Sequence, residues 1–334
     1  MGPTSSLAAT NRMRMTSTRT EWLPRLVDGD ASVGAAASFG FRVRCGAPLR
    51  FLRSGGGGEP LDVVVASEPA QRPATAPCAD WPLAGLGGKV RGTLYQLNQG
   101  FEFWTTDIGA YRIDPEAGRI EMPACDDHLA REQRLWTTPA ALCFMHRGDV
   151  PLHAAAVETD AGAVLLAAPH HRGKTTLALA FHRLGFRVLS EDLACCRLDP
   201  ELTLLPGPAL LRIRPDVYDG SPPQGTHIVA TRPSRVYIAV DADRRGSGAP
   251  VPITAIVFLR ESASGIAMER APVATAIRDL WTLGFHLPTQ AARARSFTQL
   301  TQLADAVPTW NLYRPAELGA LAETVARVVE VCRG

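Results

Sequence analysis

Lysine is almost missing from this sequence. Of 35 basic residues, Lys89 and Lys174 are lysine and all the others are arginine. Arginine therefore serves wherever charge alone is needed, and a lysine that persists is a candidate for chemistry a planar guanidinium cannot do. A large charge of either sign is missing too. A formal net charge of +2 over 334 residues argues against a general nucleic-acid or polyanion binder. No apolar run approaches the roughly 18–20 residues a membrane span needs. Met1–Thr20 carries arginines and hydroxyl residues but no apolar stretch of the kind a secretory signal has. Cysteine is sparse and unpatterned: seven residues, an odd number, none in a C-x-x-C pair. That excludes an obvious disulfide framework or zinc site and points to a reducing, cytoplasmic setting. Glu121–Asp127 with His128 gathers Cys, Asp and His, but at a spacing that matches no ligand motif.

What is present is enough apolar residue, 46% of 334, for two domains or one large one. Met1–Thr20 reads as a polar tail, with Met13 and Met15 as alternative starts. Gly55–Gly58 reads as a glycine loop and Leu61–Ala66 as a short strand. Thr93–Leu97, Phe101–Thr105, Ala110–Ile113 and Arg119–Met122 alternate with turn chemistry at Asn98–Gly100, Asp107–Gly109 and Asp114–Gly118, which predicts an antiparallel meander. Its aromatics, Phe101, Phe103, Trp104 and Tyr111, read as a packed face. Thr138–Arg147 predicts a helix with Pro139 in its first turn and Gly148 at its end. Beyond it the pattern turns α/β. Buried strands are expected at Ala163–Ala168, Phe186–Ser190 and Thr254–Arg260. Helices are expected at Lys174–Leu184, Val273–Leu283, Ala291–Ala306 and Pro315–Cys332. The domain expectation is a tail over 1–20, a β-rich domain over 21–135 and an α/β domain over 136–334.

The stretch that carries chemistry is Ala168-Pro169-His170-His171-Arg172-Gly173-Lys174-Thr175, set between a buried strand and an amphipathic helix. A phosphate-binding loop requires that context: amides at a helix start point at an anion, and the helix dipole favours it. Gly173 lets the backbone approach, Lys174 offers a mobile point charge, and Thr175 offers a hydroxyl to Mg²⁺. Thr176 continues the cradle. Ala168 stands where G-x-x-x-x-G-K-[ST] has glycine. His170 and His171 read as exposed loop residues, mostly neutral at pH 7. The acidic pair Glu191-Asp192 follows the strand Phe186–Ser190 directly. A strand beside the loop's own strand would deliver both carboxylates next to the phosphates, to hold Mg²⁺ or to take a proton from an attacking hydroxyl.

The order Leu152-His153-Ala-Ala, strand, loop, helix, Gly185, strand, acidic pair resembles the HPr kinase/phosphorylase family and the HPr-kinase-related kinases of bacterial peptide and natural-product gene clusters. The resemblance is specific over about Leu152–Asp216. It implies a nucleotide-binding fold of the phosphoenolpyruvate-carboxykinase type at the C-terminal end, following an N-terminal β-rich domain, α+β overall. By the same resemblance His153 matches the family's histidine near the phosphates, Lys174 and Thr175 its loop residues, and Asp192 its second acid. Glu191 stands for the family's first aspartate. Leu210–Arg214 resembles the segment L-L-E-I-R-G, so Arg214 matches its arginine, while Arg212 replaces its glutamate and Pro215 its glycine. Those two changes argue against a phosphorylase activity and for a kinase with another substrate.

The resemblance thus implies an ATP- and Mg²⁺-dependent kinase acting on a hydroxyl of a peptide serine or a small natural product. Asp192, His153, Lys174 and Arg214 would be catalytic. Residues 168–176 would hold nucleotide, and Thr175, Glu191 and Asp192 would hold the metal. No nucleic acid or membrane is expected as partner, and homo-oligomer formation stays open. The contrasting expectation is a nucleotide-binding regulatory or scaffold protein whose altered loop binds without transfer, and a donor other than ATP is a third.

Overall fold

The structure is a computed structural model that describes residues 36–55, 57–83, 90–263 and 265–333. The expected tail, both alternative starts, Gly56 and Lys89 lie outside them. Strands β1 (Ala36–Ser38), β2 (Phe41–Cys45), β3 (Arg53–Ser54), β4 (Glu59–Val65), β5 (Ala79–Pro82), β6 (Arg91–Gln96), β7 (Phe101–Thr105), β8 (Gly109–Asp114) and β9 (Arg119–Met122) make one sheet, ordered β3-β1-β2-β4-β9-β8-β7-β6-β5. The expected meander is its β6–β9 portion, antiparallel throughout. Its first turn needs Gly100, whose φ is +74° and whose missing Cβ would meet the Ile113 carbonyl oxygen at 2.0 Å. Phe103, Tyr111, Ile113 and Ile120 face inward and are buried against Leu135, Ala140 and Phe144. Those three belong to helices α1 (His128–Leu135) and α2 (Thr138–Arg147). Trp104 instead stays half-buried, its Nε1 donating to Glu102.

Helix α1 has no counterpart among the elements read from sequence. Asp127 caps it, accepting from the Ala130 amide at 2.9 Å, and pairs with Arg232 at 2.7 Å. Asp127 is thus spent on structure. Among the described residues no group of three or more His, Cys, Asp or Glu side chains is gathered as for a metal.

The second sheet contains β10 (Val150–Leu152), β11 (Ala154–Thr159), β12 (Gly162–Ala167), β13 (Arg187–Ser190), β14 (Ala194–Arg197) and β15 (Thr203–Leu205). A small sheet follows, of β16 (Leu210–Ile213), β17 (Thr226–Arg232) and β18 (Arg235–Val240). The second sheet resumes with β19 (Val251–Glu261), β20 (Ala267–Arg270) and β21 (Thr309–Arg314), giving the order β10-β14-β15-β19-β12-β11-β13, with β21 on β19 and β20 on β21. Alternation along β12 splits its apolar side chains between two layers. Val164 and Leu166 face helices α3 (Lys174–Arg183) and α6 (Leu321–Arg333). Ala163, Leu165 and Ala167 face α4 (Val273–Leu283) and α5 (Gln290–Ala306). Among the described residues no helix is long and apolar enough to cross a membrane.

Two expectations are corrected here. The strand before the acidic pair, β13, does not lie beside β12. It pairs with β11, which pairs with β12, both antiparallel. Two reversals leave β12 and β13 running the same way, so their C-terminal ends still share one sheet edge. The final helix also starts later than Pro315. Residues 318–320 form a 3₁₀ turn and α6 begins at Leu321, in keeping with Gly319, a poor interior residue for a helix.

Arg53, 2% exposed, ties the first sheet to the second. Its Nε donates to Gly207 O at 2.7 Å, its Nη2 to Val188 O at 2.7 Å and Leu189 O at 3.1 Å, and its Nη1 to Arg245 O. Every arm of the fork is used, and two of its four acceptors, Val188 O and Leu189 O, lie just before the acidic pair. Burial lowers its pKa to about 9. Arg53→Met should leave these acceptors unpaired and cost about 3 kcal/mol or more of unfolding free energy, measured by urea denaturation. A loss under about 1 kcal/mol would show that the tie is dispensable.

Candidate functional site

Strand β12 ends at Ala167, α3 begins at Lys174, and loop 168–173 joins them. His171 (φ +63°) and Gly173 (φ +81°) are left-handed. Ala168 is not, so this loop asks for no glycine at its first position. The conformation of Gly173 favours glycine there, and a Cβ would also meet Nη2 of Arg314, the tip of a side chain, at 2.2 Å. The first intrahelical bond of α3 runs from the Leu177 amide to Gly173 O at 2.9 Å. The amides of Lys174, Thr175 and Thr176 therefore precede the helical ladder, as an anion-binding helix start provides.

Topology brings five chain segments to this edge. Besides the loop after β12, they are the end of β13 with Glu191 and Asp192, the start of β11 with His153, the end of β19 with Arg260 and Glu261, and the end of β21 with Arg314. The small sheet adds Arg212 from β16.

Six side chains close a ring. Lys174 Nζ lies 2.9 Å from His153 Nε2 and donates to Ala168 O at 2.6 Å and Pro169 O at 3.1 Å. His153 Nδ1 lies 3.1 Å from Asp192 O and 3.3 Å from its Oδ1. Asp192 Oδ2 is 2.7 Å from Arg212 Nη2, and Glu191 Oε2 is 2.8 Å from Arg212 Nε. Glu191 Oε1 accepts from the Thr175 hydroxyl, which returns the ring to the first turn of α3. These partners assign the His153 tautomer. Nδ1 carries the proton toward Asp192, and Nε2 accepts from Lys174.

The electrostatics follow from burial and from Arg212. Burial lowers His153 to about 4, so the ring is neutral at pH 7. Burial likewise lowers Lys174, 6% exposed, to about 8. Burial pushes the Glu191 carboxyl up, against the pull of Arg212. Burial alone would also raise Asp192, but Arg212, then His153 and Lys174, outweigh it and hold that carboxyl well below the usual range. The Asp192 side chain is 36% exposed all the same, because it opens onto a cavity.

That cavity is about 660 Å³. It is lined by loop residues 169–173, by Lys174, Thr175 and Thr176, by His153 and by both acids. Among the described residues eight cations line it (Arg134, Arg172, Lys174, Arg212, Arg214, Arg235, Arg260 and Arg314) against three acids, Glu191, Asp192 and Glu261. Such a balance suits an anionic ligand. Its far wall includes Trp81, Leu83, Gln133, Thr137 and Tyr237. His170 is exposed but packs its ring on His153, centroids 4.0 Å apart, while His171 is an exposed turn residue. Ala168 is buried behind the loop. Arg214 reaches the cavity, yet its partner is Asp216, Nε to Oδ1 2.9 Å, rather than either acid. Sequence reasoning flagged Arg212 as a departure from a family pattern and did not foresee its grip on both carboxylates. It did not single out Arg260 or Arg314, which no local motif marks.

No family model matches the chain, and no curated protein matches it. Among solved structures, the HPr(Ser) kinase/phosphatase from Coxiella burnetii matches at 11% identity, covering 55% of this chain and 99% of that one, with a TM-score of 0.29. A likeness that loose decides nothing about the site, whose geometry stands alone.

Arg212→Met would leave two carboxylates facing each other. Their folded pKa values should then rise above the unfolded ones. Stability so gained is present at low pH and lost as pH rises through the raised values. The variant should therefore lose about 3–5 kcal/mol at pH 7.5 and recover part of it at pH 5, read by urea unfolding at both. An equal loss at both pH values would mean that Arg212 acts by packing alone.

Proposed function

We propose that this chain is a phosphotransferase that uses ATP and Mg²⁺ to phosphorylate a hydroxyl of a peptide serine or a small molecule. One observation carries the reading: the ring from Lys174 through His153, Asp192, Arg212 and Glu191 back to Thr175, closed around a helix start that opens into a positively lined cavity. Residues 136–334 would form the nucleotide part. The β-rich part would shape the acceptor wall, where Trp81 and Leu83 line the cavity.

Lys174 would contact the phosphates, and the amides of residues 174–176 would cradle them. Neutral His153 keeps Nδ1–H on Asp192 and leaves Nε2 to Lys174, so it sets the position of both. Asp192, held ionised by Arg212, is a weak base. Its role would be to accept the hydrogen bond of the acceptor hydroxyl and aim it, which suffices for a reaction governed by positioning and charge. The fit of Mg²⁺ can be judged from the donor set. Thr175 Oγ1 and Glu191 Oε1 converge as hard oxygens, which suits the ion, whereas Arg212 occupies one oxygen of each acid. Thr175 and Glu191 would hold it, and when bound it would neutralise charge on the phosphates.

Incubating the full chain with ATP, Mg²⁺ and candidate acceptors, with mass spectrometry for one added phosphoryl, tests the reading. Lys174→Ala should abolish transfer and Lys174→Arg should not restore it, because a planar fork fits the cradle differently. Asp192→Asn should keep nucleotide binding and lose about 10²-fold in rate. Glu191→Gln should mainly raise the Mg²⁺ needed. Wild-type transfer by Lys174→Ala would refute the assignment. ATP binding without transfer to any acceptor would favour the scaffold role instead.

A further inference from the structure

Among the described residues three buried cations line the cavity: Arg134, Lys174 and Arg314. Arg134 has a carboxylate partner, Asp107, at 2.8 Å. Lys174 is met by two loop carbonyls and His153. Among the described residues Arg314, 8% exposed, meets only Pro315 O at 3.1 Å and Arg172 O at 3.4 Å, and its buried Nε has no partner. Among the described residues no carboxylate is in ion-pair contact with it. The other arginines around it are spoken for, Arg172 by Glu261 and Arg260 by Asp279.

A buried guanidinium without an acid can be purely structural, and Arg53 shows how. Arg53 lies away from the cavity and spends Nε, Nη1 and Nη2 on four carbonyls, three of them at 2.7–3.1 Å. Arg314 has a different environment. It lines the cavity, leaves one donor unmet, and makes one of its two contacts at 3.4 Å, beyond the ordinary hydrogen-bond range. Burying a charge so poorly paired is costly unless something offsets it. Its position says what could. It stands at the C-terminal end of β21, with Nη2 against Gly173 and the Arg172 carbonyl, at the last residues of the loop. Lys174 reaches the first residues of the same loop, Ala168 and Pro169. The two cations thus hold the loop at opposite ends.

We propose that Arg314 is a second cationic ligand for the nucleotide's phosphates, meeting them at the Gly173 end of loop 168–173 while Lys174 meets them from the other. This rests on the nucleotide reading above. A phosphate oxygen is a better acceptor for a guanidinium than a carbonyl 3.4 Å away, and the planar fork suits a phosphate's paired oxygens. It also gives Gly173 a second purpose, since any side chain there would displace the guanidinium.

The test uses the full chain, with ATP and inorganic tripolyphosphate as probes in titration calorimetry and melting measured without ligand. Arg314→Met should weaken both probes by about 10- to 100-fold. Its melting temperature without ligand should be unchanged or raised, because a poorly paired buried charge is gone. Arg314→Lys, which keeps the charge without the fork, should fall between and covers the case in which the methionine variant folds badly. A drop of several degrees in melting with both affinities intact would make Arg314 structural and overturn the inference. Weakened ATP binding with tripolyphosphate unaffected would move the contact to the nucleoside and overturn it too. In both cases loss of ATP binding in Lys174→Ala would leave the nucleotide reading standing. If Lys174→Ala and Arg314→Met both bind ATP as wild type does, or the wild type binds neither probe, the nucleotide reading itself falls.

Discussion

Two carboxylates on consecutive residues, both lining one cavity, repel each other, and a cation between them offsets that repulsion. Arg212 is that cation, 2.8 Å from Glu191 and 2.7 Å from Asp192. The rest of the site is arranged on this contact. With Asp192 fixed and negative, a hydrogen bond fixes the His153 tautomer, and that tautomer turns a lone pair toward Lys174. With Glu191 held on its other side, its free oxygen meets the Thr175 hydroxyl. Lys174 and Thr175 are neighbours, so the ring constrains the first turn of α3 from two directions.

Sheet order makes this ring possible. A single parallel pair could have placed the loop and the acids together, as the sequence reading supposed. Inserting β11 between β12 and β13 does more: running antiparallel to both, it begins where they end. Its first neighbour in the chain, His153, therefore lands between the loop and the acids. Arg53 holds the same region from behind, bonding Val188 O and Leu189 O just before Ser190. The acids sit on a strand end fixed by the first sheet, which couples the β-rich part to the site through hydrogen bonds and not only through apolar contact.

Much of this was readable from sequence because it is local. Strand, loop, lysine and helix are contiguous, and so are the strand and the acids after it. The limits of α2 were readable because Pro139 and Gly148 mark its ends. Helix α1 was missed because its capping residue lies in a run, Glu121–His128, that draws attention as a cluster of acids and a cysteine. Strand β11 was missed because Ala154-Ala155-Ala156 carries little β preference. The arginines are the instructive failure. A composition that spares lysine makes Lys174 conspicuous, and by the same bias makes each of 33 arginines inconspicuous. Arg212 and Arg314 lie 38 and 140 residues beyond the lysine in the chain, and only the sheets bring them back to it.

The loop's own carbonyls are part of the site's energetics. Lys174 donates to Ala168 O and Pro169 O, and Arg314 approaches Arg172 O. An anion that engages these cations exchanges one set of acceptors for another, so the gain is a difference between hydrogen bonds and not their full strength. The lysine contributes in proportion to its proton, and burial has already brought its pKa down to about 8. A neighbouring anion would favour the charged form and raise that value. Anion affinity and Lys174 protonation are therefore two readings of one coupling. His153 stays outside it, because a second proton on that ring would set Nε2–H against the ammonium 2.9 Å away.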